Sequence, residues 1–241
     1  MKKSILDFLG FLCAFSVLLG AIFVMEWNSV FGGQLIVSVN SPLPTVVLDA
    51  GHGGEDGGAV SKTGALVEKN INLSITLYLK DLLEANGFQV RLTREDDRLL
   101  YDRTVDYHGR KKALDLAARR KIAEETENCV LVSIHLNAFP MEQYRGLQVW
   151  YSPNNEASLL LAEQVQSTVR EGLQPENHRK IKPATSSIYL LHHATFPALL
   201  IECGFLTNEE EAALLGSAEY QQQLAFHIFS ALNSGLRKIS C

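Results

Sequence analysis

Residues 45–49 read TVVLD, residues 68–86 read EKNINLSITLYLKDLLEAN, and residues 88–93 read FQVRLT. The first is a short, β-branched apolar run halted by Gly51-His52-Gly53-Gly54, which marks a buried strand. In the second, Ile71, Ile75, Tyr78, Leu79, Leu82 and Leu83 recur at helical spacing, and Gly87 closes the run. The third is strand-like again. Strand, helix and strand in this order predict a βαβ unit with parallel strands. The alternation continues downstream: a helix over 114–125, strands over 129–135 and 147–151, a helix over 156–171, an extended stretch at 188–191, a strand over 198–203, and helices over 209–215 and 218–236. One α/β domain is therefore expected over residues 45–241, its largely parallel sheet covered by helices on both faces.

Upstream, residues 8–25 form an uncharged run, FLGFLCAFSVLLGAIFVM. As a helix it would span roughly 27 Å, close to the hydrocarbon thickness of a bilayer. Lys2 and Lys3 precede it, so residues 1–27 are expected to be a single-pass anchor in the cytoplasmic membrane, with everything after it outside. A cleaved signal peptide is the alternative. Residues 28–44, with Gly32-Gly33, Asn40, Pro42 and Pro44, read as a linker. The formal charge of -5 implies no basic face and hence no nucleic-acid partner. Arg110-Lys111-Lys112 and Arg119-Arg120-Lys121 are interleaved with acids and read as a solvated helix face. Cys13, Cys129, Cys203 and Cys241 show no paired spacing, which argues against a disulfide framework or a thiolate metal site.

Chemistry-bearing side chains fall at equivalent places in this plan. His52 follows the first strand, Glu68 opens the first helix, His135 ends VLVSIH, and Glu202 lies near the end of ALLIEC. In an open α/β sheet the C-terminal ends of parallel strands share one edge, where ligand sites form. Two imidazoles and a carboxylate suit a catalytic zinc, which leaves one position for water. A further, unligated carboxylate could move protons, the natural task for Glu202. Taken singly, each residue has a plainer reading: a hydrogen-bonded loop histidine, a glutamate favouring a helix N-terminus, a buried ion pair. Asp56 and its neighbouring glycines read as a tight turn, and no Lys-Ser/Thr follows them to make a phosphate loop. His192-His193 are candidates for lining a substrate cleft.

The segments VVLDAGHGGEDGGA (46–59), EKNINL (68–73), SIHLNAFP (133–140) and LLIECGFLTNEEE (199–211) occur in that order. As a set they resemble the zinc-dependent N-acetylmuramoyl-L-alanine amidases of the amidase-3 type, over residues 45–236. The resemblance implies Zn2+ ligands at His52, Glu68 and His135, with Glu202 as the catalytic carboxylate. It implies a mixed sheet, peptidoglycan as substrate, and hydrolysis of the amide joining N-acetylmuramic acid to L-alanine. The short, anchored chain looks most like the spore-cortex members, and an activating protein partner is conceivable for it. A zinc peptidase of stem peptides and a silent wall-binding protein are the rival readings. Two departures stand out: Glu124 occupies a position where relatives often carry Asn, and residues 95–115 form a longer segment that some relatives use for a regulatory helix. Here it is polar and reads as a surface excursion.

Overall fold

The computed structural model describes residues 42–101, 104 and 109–239. The expected anchor and most of the expected linker lie outside these residues. Among the described residues no helix is long and apolar enough to cross a membrane.

Strand β1 (Thr45–Ala50) lies between β2 (Val90–Leu92) and β3 (Cys129–Asn137) and runs parallel to both. β3 pairs in parallel with β6 (Ala198–Phe205), and β6 pairs antiparallel with β4 (Gln148–Tyr151). The two-residue β5 (Lys182–Pro183) completes the order β2-β1-β3-β6-β4-β5. The sheet is thus mixed, as expected. β4 reverses because the connection from β3 is short and helix-free, whereas a parallel return needs a crossover of about a dozen residues.

Side chains alternate between two cores. Val46, Leu48, Val132, Ile134, Leu199 and Ile201 face the helices α1 (Glu68–Ala85), α3 (Glu156–Gly172) and α6 (Ala218–Ile239). Ile71, Ile75, Leu79 and Leu83 are the buried stripe of α1, matching its predicted spacing. Val47, Leu131 and Leu200 face the other way, beneath α2 (Lys111–Glu124) and the short α4 (Tyr189–His193). The remaining short helix is α5 (Glu209–Leu215). Residues 188–191 were expected to be extended; instead Tyr189 begins a single helical turn that buries Leu190 and Leu191. So short an apolar run satisfies either period equally, and packing decides.

The second face changes character toward the C-terminal edge of the sheet. Leu131 and Leu200 give way to Asp49, Ser133, His135, Glu202 and Gln148, with Glu202 in register opposite both His135 and Gln148. A register shift between His135 and Asn137 marks the end of regular pairing there. Cys129 and Cys203 are buried and free, and burial pushes the Cys129 thiol up to about 12. They are packing residues, as their apolar strands suggested.

Candidate active site

Beyond β1 the chain turns sharply at His52, whose φ of 64° is left-handed. That conformation costs a residue bearing a β-carbon about 1–2 kcal/mol, so something must hold it. Two buried arginines do. Arg119 donates from Nη1 to the Ala50 carbonyl (2.7 Å) and from Nη2 to the His52 carbonyl (2.7 Å). Arg94 donates to the carbonyls of Ala50 (2.8 Å), Gly51 (3.0 Å) and Lys69 (2.7 Å), tying the turn to the start of α1. Arg119 is neutralised by Asp49 and Asp115, each at 2.7 Å. Burial would push the Asp49 carboxyl up, but Arg119, Ser133 and Thr93 outweigh it and hold it at about 2. The solvated reading of Arg119 is therefore corrected. Asp115, Arg119 and Ala123 form the buried stripe of α2, while Arg110, Lys111, Lys112, Arg120 and Lys121 lie toward solvent as expected. Four-residue spacing was the available signal.

Glycine supplies the remaining room. A β-carbon at Gly51 would collide with the His135 ring, and one at Gly58, itself at φ 70°, would come within 2.5 Å of Glu68 Oε2. Glu68 is buried, so its carboxylate is not the surface helix-end group that its position alone allowed. Its Oε2 accepts from the Ala59 amide (2.7 Å), and its Oε1 from the Leu136 amide (3.0 Å) and Asn72 (3.2 Å). The same Oε1 faces His52 Nε2 at 3.2 Å and His135 Nδ1 at 3.0 Å. The ligand atoms of His52, Glu68 and His135 lie within 4.8 Å of one another, a grouping that could hold a metal ion. Burial would raise the Glu68 carboxyl, but the hydrogen bonds from His135 and His52 prevail and place it far below the usual carboxylate range.

Asp56 does more than shape the turn. Its Oδ2 lies 2.9 Å from His52 Nδ1, which directs Nε2 toward Glu68. Burial alone would lower the His52 imidazole, but Glu68 and Asp56 outweigh it and its pKa stands above the ordinary value.

Glu202 joins this cluster from β6. It is half-buried, and its Oε2 is sealed from solvent without a hydrogen-bond partner. Burial, reinforced by Glu68, raises its carboxyl against the pull of His135, His52 and Arg179. The ion-pair reading of Glu202 therefore finds no partner among the described residues.

A cleft of about 210 Å³ opens over these groups, walled by Leu116, Ile188, Tyr189 and Leu200 and reaching His52, His135 and Glu202. His192 and His193 are exposed and do not line it; the turn of α4 presents Ser187 to Leu190 instead. Of the long segment before α2, Tyr101 bonds Glu55 (3.0 Å) and the Leu100 amide bonds Asp115 (2.6 Å), so its described part packs beside the turn.

The family model for N-acetylmuramoyl-L-alanine amidase matches residues 46–234. The chain belongs to this family. A germination-specific N-acetylmuramoyl-L-alanine amidase of Bacillus subtilis is 37% identical over 187 residues, covering 78% of this chain and 77% of that one. The solved CwlD amidase from Clostridioides difficile, in complex with the GerS lipoprotein, is 40% identical; the match covers 80% of this chain and 98% of that one, with a TM-score of 0.76. The amidase AmiC2 of Nostoc punctiforme superposes over 80% of this chain and 97% of its own at a TM-score of 0.68 and 31% identity. This amidase hydrolyses the bond between N-acetylmuramic acid and the L-alanine of the peptidoglycan stem peptide.

Proposed function

We propose that this amidase is a zinc enzyme, with His52 Nε2, Glu68 and His135 Nδ1 as ligands and Glu202 as the catalytic carboxylate. The supporting observation is the convergence of those three donors, with Glu202 in register beside His135. Two imidazoles and one carboxylate are a catalytic-zinc donor set that leaves a position for water or substrate. One ligand atom from each lies within 4.8 Å of the others, close enough to share a single cation. Bound there, zinc would supply Lewis acidity and a water of lowered pKa. Asp56 keeps a proton on His52 Nδ1, so that Nε2 presents its lone pair. Glu202, with Oε2 unpartnered, takes the proton of the attacking water and delivers it to the departing alanine nitrogen. Leu116, Ile188 and Tyr189 line the cleft and keep bulk water from the scissile amide.

We place this activity in spore-cortex maturation, which the germination-specific relative and the CwlD amidase support. Residues 1–27 would anchor the enzyme in the cytoplasmic membrane with the catalytic domain outside, as the apolar run at 8–25 suggests. An activating protein partner is part of the proposal, since the CwlD structure is a complex with a lipoprotein. The deciding experiment measures metal content and the muropeptide products of digested cell wall. Bound zinc, free lactyl groups and intact stem peptides support the reading; shortened stem peptides would reject it in favour of a peptidase.

A further inference from the structure

The polar row on the second face continues past Glu202. Gln148 stands opposite Glu202 in the β4–β6 pairing, as His135 does in the β3–β6 pairing, so the three lie side by side across the sheet edge. At about 4.8 Å per strand, Gln148 is roughly 10 Å from His135. Gln148 is buried with its side chain committed: Nε2 donates to the Lys180 carbonyl (2.7 Å), and Oε1 accepts from Arg179 Nη2. The Arg179 guanidinium rests 4.8 Å from the centre of the Phe205 ring. Its bond to Gln148 is its only hydrogen bond among the described residues, and its Nε is buried without a partner.

Among the described residues no carboxylate hydrogen-bonds it. Glu211 accepts from the Gly146 amide at one oxygen and the Phe205 amide at the other, each at 2.8 Å. Glu202 is reserved for proton transfer in the reading above. A guanidinium is a planar fork of five donors suited to a carboxylate. One that is held by a neutral amide and an aromatic ring, the amide standing in register with Glu202, is arranged for an anion that the substrate brings.

We propose that Arg179, oriented by Gln148 and Phe205, binds the free α-carboxylate of the second residue of the stem peptide. The inference rests on the amidase reading and gives the stem peptide a direction, from the His135 side across β6 toward β4. The reach agrees: at about 3.3–3.6 Å per extended residue, a carboxylate two residues beyond the scissile nitrogen lies roughly 7 Å away. That reach exceeds the single strand spacing of about 4.8 Å between Glu202 and Gln148, the residue that holds Arg179.

The test is steady-state kinetics on two muropeptides that differ at one group, carrying either the free α-carboxylate or its carboxamide on the second residue. The zinc-loaded wild type should favour the carboxylate by about ten- to a hundredfold in kcat/KM, chiefly through KM. Arg179→Met keeps an aliphatic stem over Phe205. It should lose that factor on the carboxylate substrate while staying within about twofold on the carboxamide. Arg179→Lys, a point charge without the fork, should retain part of the preference. Thermal unfolding run alongside separates a fold defect, which would slow both substrates alike. Absence of a preference in the wild type overturns the proposal, as does equal loss on both substrates in folded Arg179→Met and Arg179→Lys. Cleavage of both substrates without preference leaves the amidase reading standing; cleavage of neither removes both.

Discussion

Replacing Arg119 with Met should unfold the amidase at far lower denaturant. The side chain is 2% exposed, and its partner Asp49 is 1% exposed. Removing one member of such a buried pair costs about 3–5 kcal/mol, because the other charge is left unpaired. The Ala50 carbonyl keeps Arg94 as a donor, but the His52 carbonyl loses the donor that holds it, adding about 1–3 kcal/mol. The total, about 4–8 kcal/mol, corresponds to roughly 10–30 °C in Tm for a domain of this size. The pH dependence carries the sharper signature. In the parent protein the Asp49 carboxyl sits at about 2 against 3.8 for the free group. It therefore contributes about 2 kcal/mol of stability that is present above roughly pH 4 and lost as the pH falls to 2. Without Arg119, burial dominates and the folded pKa moves above the unfolded one, so stability should fall as pH rises through it. Urea unfolding at pH 4 and pH 7, with chelator present in both proteins, reads the two effects. A variant within about 1 kcal/mol of the parent, or one with the parent's pH slope, would refute the reasoning.

Three further outcomes follow from the site. Glu202→Gln should bind zinc with parental affinity while kcat falls by about a hundredfold or more; measurable turnover near the parental rate in a muropeptide assay would remove Glu202 from proton transfer. Asp56→Asn, which weakens the hold on the His52 tautomer, should loosen zinc by about 10–100-fold in competition titrations, and an unchanged affinity would mean that Asp56 only shapes the turn. Cys129 and Cys203 should resist alkylation at pH 8 in the native protein and react on unfolding, as peptide mass spectrometry can show, because both are buried with thiols pushed well above the ordinary range.

How much of this could be read from the amino-acid order depends on the range of the physics involved. β1, α1 and β3 were legible because apolar periodicity is local, and a strand or helix stripe reports its own burial. His52, Glu68, His135 and Glu202 were legible as a set because element ends in a parallel sheet share an edge, so position along the chain stands in for position in space. Arg119 was not, because its burial depends on Asp49, 70 residues away, and a charge run on one helix cannot say which member turns inward. The single turn of α4 and the two residues of β5 escaped for a related reason: elements that short take their conformation from what they pack against. Asp56 was seen as a turn residue, yet the same four-residue step that tightens the turn also carries its carboxylate to His52 Nδ1. These misreadings fall in the layer just outside the predicted ligands, where a polar side chain is buried only because another buried polar group answers it. That layer is written in pairs of distant residues, and local pattern reports one member at a time.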